Sequence, residues 1–113
     1  MTTTIDEIYL KAEEINDYQK TFRDMLNRLE SESKAQGEGN YCQVVMQLNP
    51  QTDGSQWKMF IYYTDNGHFC YSYQDQNLMD TMTYPSIDLE QMIALMLEDM
   101  HNVNGIEWIA VDF

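Results

Sequence analysis

His68 and Cys70 stand two residues apart in the stretch Tyr-Tyr-Thr-Asp-Asn-Gly-His-Phe-Cys-Tyr-Ser-Tyr, residues 62–73. Their types and spacing, with Cys42 brought near, are what the chain offers toward a metal site or an activated thiol. A zinc site needs paired ligand motifs and a fourth ligand at a recognised spacing, and neither is present. A nucleophilic cysteine needs an exposed thiolate beside a base, for which a thiol inside a packed hairpin is a poor candidate. Carboxylate pairs such as Glu98-Asp99 lack the apolar pocket that raises one pKa for acid-base work, and read instead as a solvated helix face. Gly37-Glu38-Gly39 has neither the spacing nor the Lys-Ser/Thr of a phosphate loop, and Asp53-Gly54 lacks the flanking acids of a calcium loop. The expectation is therefore no catalytic residue, no metal, no cofactor and no enzymatic activity.

Charge carries more. The chain holds 19 acidic and 6 basic residues, a net charge of −13. Residues 1–34 are charge-mixed, whereas residues 35–113 contain a single cation, Lys58, against eleven acids. Such a field repels nucleic acid and anionic membrane and speeds encounter with basic surfaces, so no direct nucleic-acid or membrane binding is expected. High acidity also serves dispersion alone. At 113 residues the chain fits one folded domain. No apolar run approaches the roughly 20 residues of a membrane span, and the N-terminus has no secretory pattern, so a cytoplasmic protein is expected. Cys42 and Cys70 fall on separate strands and read as reduced thiols.

The elements that would position a site follow from periodicity. Ile5, Ile8, Ala12, Ile15, Gln19, Phe22, Leu26 and Leu29 alternate by three and four, predicting a long helix from about Thr4 to Ser33 with Thr4 and Glu7 as a capping box. Such a helix would be about 45 Å long, more than a domain of this size spans. It covers one face of a sheet or, as the alternative, supplies a homodimer seam. After the linker, Tyr41 to Leu48 and Trp57 to Thr64 alternate as strands. Gln74 to Pro85 holds at most a short edge strand near Met79 to Thr83. Asp88 caps a second helix, with Gln91 closing a box and Ile87 stapled to Met92, and Asn104-Gly105 ends it. Ile106 to Phe113 reads as an inner closing strand. The class is α+β: a long N-terminal helix (residues 1–34), then a mainly antiparallel four-stranded sheet and second helix (35–113), in the order α-β-β-β-α-β.

The aromatic hairpin decides which side chains share a face. A two-residue Asn66-Gly67 loop pairs Tyr62 with Tyr71. A three-residue Asp65-Asn66-Gly67 loop, with Gly67 left-handed, gathers Trp57, Met59, Ile61 and Tyr63 with Phe69, Tyr71 and Tyr73. The second arrangement is favoured, and it leaves Phe60 and Tyr62 on the opposite, mixed face, which either a helix or a partner would cover.

These features suggest an acidic inhibitor that occludes a basic surface of another protein: a toxin, nuclease or defence enzyme. An immunity protein needs a compact patch, while an anti-defence nucleic acid mimic needs carboxylates in rows like a duplex backbone. The acids here are scattered, which favours the patch. Asp65, Asp75, Asp80, Glu98 and Asp99 are the candidate steering charges, with Phe60, Tyr62 and Tyr73 as anchors. The element order and acidic balance also resemble the opening of the small dimeric chaperones of type III secretion. Such chaperones usually continue with a further strand and helix beyond the point this sequence reaches.

Overall fold

The computed structural model describes residues 10–11, 15–36, 42–64, 67–75, 82–83, 86–102 and 105–112. Its fold is α+β, as expected. Four long strands, β2 (Gln43–Leu48), β3 (Trp57–Tyr63), β4 (His68–Asp75) and β7 (Ile106–Asp112), are joined by three two-residue strands: β1 (Leu10–Lys11), β5 (Met82–Thr83) and β6 (Ile87–Asp88). The sheet runs β1-β7-β2-β3-β4-β5, with β6 also on β4, and every pairing is antiparallel. The inner position of β7, between β1 and β2, agrees with its apolar pattern.

The first helix departs from its predicted bounds. Leu10–Lys11 is a strand on the sheet edge, with Leu10 opposite Ile109, and the helix α1 runs only from Tyr18 to Gln36. The physical cause is Asp17. Its carboxylate accepts the Lys20 N–H at 3.1 Å, and its backbone carbonyl accepts the Thr21 N–H at 3.0 Å, which is an N-cap placed about three turns into the presumed seam. Ile15 enters the core from outside the helix. At about 28 Å, α1 fits the domain. The predicted cap at Thr4 lies outside the described residues.

The second helix, α2 (Leu89–Asn102), begins as predicted. The Asp88 N–H donates to Gln91 Oε1 at 3.1 Å and the Gln91 N–H to Asp88 Oδ1 at 2.8 Å, a reciprocal capping box. At its far end the Gly105 N–H donates to the Met100 carbonyl at 2.6 Å, and Gly105 holds φ at 104°, which a side chain rarely tolerates.

Both helices lie on the same side of the sheet. Phe22, Leu26 and Leu29 of α1 and Met92 and Met96 of α2 are fully buried in one cluster with Val44, Met46, Met59, Ile61, Phe69 and Ile109 from the strands. The spacing of Phe22, Met25, Leu26 and Leu29 is one helical stripe, and the strand residues alternate, so each element contributes one face. Arg23 forks onto Glu90, at 2.5 and 2.9 Å, tying the flank of α1 to the first turn of α2. Among the described residues, no helix is long and apolar enough to cross a membrane.

Because Asp88 satisfies an otherwise orphaned N–H of α2, Asp88→Ala should cost about 1 kcal/mol of stability. Phe22→Ala, which empties the centre of the core, should cost about 3–5 kcal/mol. Urea denaturation of the two variants beside the parent protein measures both.

Candidate functional site

The hairpin closes on three residues. The Thr64 N–H donates to the His68 carbonyl at 2.8 Å, and Gly67 takes φ 78° at the end of the loop. The β3–β4 register then pairs Met59 with Tyr73, Ile61 with Tyr71 and Tyr63 with Phe69. These side chains meet the helices, as the three-residue loop predicts. Tyr63 stacks edge-on against Phe69 with ring centroids 5.4 Å apart, and its hydroxyl accepts the Gly67 N–H at 2.9 Å.

On the other face, no element among the described residues lies over the strands. Register sets its side chains in rows. Ala110, Val45, Phe60 and Ser72 follow one another across β7, β2, β3 and β4. A parallel row runs Trp108, Gln47, Lys58 and Gln74, and on the other side Asp112 pairs with Gln43 while Tyr62 pairs with Cys70. Phe60, Tyr62, Val45, Trp108 and Ala110 are all half-buried, not sealed. Two shallow depressions of about 210 and 200 Å³ adjoin here and share Phe60. The first has Val45, Trp108, Ala110, Gln43 and Asp112 in its lining, and the second Tyr62, Ser72 and Gln74.

The polar groups on this face have specific assignments. The Lys58 ammonium sits 5.7 Å from the centre of the Trp108 ring, so the face already holds a cation on an aromatic surface. Gln47 is buried and donates to the Trp57 carbonyl at 3.1 Å, beside the register shift in the β2–β7 pairing. Burial pushes the Tyr62 phenol up, with a smaller contribution from Cys70, so it remains a neutral hydroxyl. Burial likewise raises both thiols, away from the thiolate that nucleophilic attack or metal binding requires. Cys42 belongs to the helix-side core and Cys70 to the opposite face, so the sheet itself separates them, and His68 with them cannot form one cluster.

The predicted contact residues do not form one patch. Phe60 and Tyr62 lie together on the uncovered face. Tyr73 lies on the helix side, where its hydroxyl donates to a carboxylate oxygen of Asp99, so the fold does not bring this pair beside Phe60. Burial, at a half-buried position on α2, pushes the Asp99 carboxyl up to about 6. Glu98 is exposed on α2, away from the uncovered face. Asp65 and Asp80 fall outside the described residues, as does the side chain of Asp75. Trp108, Ala110 and Asp112 join the site although none was singled out. Alternation in β7 does set Trp108 and Ala110 on one side, but only the β2–β7 register brings that side beside Phe60.

No protein-family model matches this chain, and neither a curated protein nor a solved structure matches it. Its geometry is therefore the basis for reading its function.

Asp99 supplies a pH test. A folded-state value near 6 lies above the ordinary 3.8, so the folded chain binds more protons than the unfolded one between those values. Stability should be greatest near pH 4, fall as pH rises toward 6, and level off above it. Asp99→Asn, whose amide oxygen still accepts from Tyr73, should flatten that slope. It should also raise stability at pH 7 by about 1–2 kcal/mol, allowing for the solvent that still reaches the group. Thermal melts from pH 4 to 8 check both the slope and the gain.

Proposed function

We propose that this chain is an acidic protein-binding inhibitor, whose uncovered sheet face docks on and occludes a basic surface of a partner protein in the cytoplasm. The observation that carries the reading is that face, where Phe60, Tyr62 and Trp108 stay half-exposed while both helices pack on the other side of the sheet. Aromatic side chains in shallow depressions are the usual anchors of protein interfaces, because they bury large area at small entropic cost. The net charge of −13 sets the sign of the partner, drawing cationic surfaces in and repelling nucleic acid.

The same face supports the immunity-protein version over imitation of nucleic acid. A duplex mimic needs carboxylates repeated at phosphate spacing, whereas among the described residues this face combines aromatics, amides, Lys58 and the carboxylate of Asp112. A toxin with a cationic groove, such as a nuclease, is the partner class that matches an aromatic patch on a chain of net charge −13.

The test is capture of partners on immobilised protein across rising salt, with Phe60→Ala/Tyr62→Ala as a second bait. The parent should retain one basic protein in stoichiometric amount, released as salt rises and inhibited when bound. The double variant, shown folded by circular dichroism, should bind that protein at least about 30-fold more weakly. Equal retention by both baits, or no basic protein on either, overturns the reading.

A further inference from the structure

The corner of the uncovered face between Asp112 and Tyr62 is a more specific feature than the face as a whole. Asp112 on β7 pairs with Gln43 on β2, and the β2–β3 register, extended by one residue beyond Val44 and Ile61, aligns Gln43 with Tyr62. Asp112 and Tyr62 thus stand two strands apart in one row, about 10 Å between backbones. Phe60 adjoins Tyr62 on the same face and belongs to both depressions, and Asp112 and Gln43 line the first of them. The floor between is Val45 and Ala110.

We infer that this corner is a subsite for an arginine side chain of the partner protein. The inference rests on the docking reading above and names the chemistry of one contact within it. An arginine carries an aliphatic stem, which suits the Val45 and Ala110 floor, and a planar guanidinium that lies flat on an aromatic ring while its edge forks onto a carboxylate. The Phe60 and Tyr62 rings supply the first partner and Asp112 the second, with the Gln43 amide oxygen as a further acceptor. A lysine ammonium, being a compact point charge, cannot stack and fork at once.

Two observations of this chain favour that occupant. Lys58 shows that the face accepts a cation on a ring, since its ammonium sits over Trp108 at 5.7 Å. Lys58 lines the first depression as well, but its backbone lies four residues from Tyr62 along β3, about 13 Å, and its ammonium is engaged over the Trp108 ring. A second copy of the chain is a poor occupant: its net charge of −13 opposes self-docking, and one of its two arginines, Arg23, is forked onto Glu90.

The experiment is titration of the ¹⁵N-labelled protein with acetyl-Gly-Arg-Gly-Arg-Gly-amide and with its lysine twin, followed by amide shifts. The arginine peptide should move Gln43, Tyr62 and Asp112 selectively, and the lysine peptide should bind at least about fivefold more weakly. Asp112→Asn should weaken the arginine peptide about tenfold, and Tyr62→Leu similarly, while Tyr62→Phe and Glu98→Gln should leave it unchanged. Equal binding of the two peptides, shifts that follow every exposed carboxylate, or an Asp112→Asn variant that binds as the parent does would overturn the subsite. The subsite and the docking reading fail separately. A captured partner lost by Phe60→Ala/Tyr62→Ala but held at full strength by Asp112→Asn leaves docking intact and removes the subsite. If no basic partner is captured, docking falls, and the peptide titration still decides whether the corner takes arginine.

Discussion

The length of one loop determines what this molecule presents to its surroundings. Because Thr64 closes on His68 over three residues, with Gly67 in the left-handed region, Met59, Ile61 and Tyr63 point the same way as Phe69, Tyr71 and Tyr73. A two-residue loop would set Phe60 and Tyr62 with the β4 rings and turn Met59 and Ile61 outward, since a strand slipped by one residue exchanges its faces. The three-residue closure collects the aliphatic row for the helices and leaves the row containing Phe60 and Tyr62 on the far side. It also sends Cys70 to the face opposite Cys42, which removes the one thiol and metal arrangement that residue types alone suggested.

The layering that results is one-sided. α1 and α2 share the apolar face, joined at their flanks by the Arg23–Glu90 fork, and the cluster of Phe22, Leu26, Leu29, Met92 and Met96 against the strands supplies the core. Burial of that kind is worth about 25 cal/mol for each Å² of apolar surface removed from water, and its fully buried large side chains lie on one side of the sheet. The second face is held by other means. Gln47 is tied to the Trp57 carbonyl, and Lys58 covers part of Trp108 with its stem and charge.

Elements whose signals are local were legible in the sequence. The Asp88–Gln91 box, the apolar stripe of α2 and the alternation of the hairpin strands each depend on residues within a few positions, and each is where periodicity placed it. The start of the first helix was not. Ile15, Phe22, Leu26 and Leu29 continue the spacing of Ile5, Ile8 and Ala12, and spacing alone does not reveal that Leu10–Lys11 finds a strand partner at Trp108 and Ile109, nearly the whole chain away. Asn16-Asp17, two residue types that favour N-caps, is the local signal there. The candidate site divides along the same line. Phe60 and Tyr62 follow from loop length, whereas Trp108, Ala110 and Asp112 enter only through the β2–β7 register. Tyr73 and Asp99 were grouped with surface residues because a pairing between a strand and a helix leaves no periodic trace.

Acidity and the uncovered face bear on each other. A half-exposed aromatic sheet surface invites stacking against another copy, and proteins that carry one need a means of opposing it. Here the means is charge: a net of −13, with eleven acids against one base in residues 35–113, makes two copies approach at an electrostatic cost. The same field lowers the barrier to a cationic surface. Dispersion and attraction of cationic surfaces, which at the level of composition stand as rival explanations of the acid excess, are two consequences of the same net charge. Lys58, the lone cation of residues 35–113, lies over Trp108, where its charge is taken up by a ring.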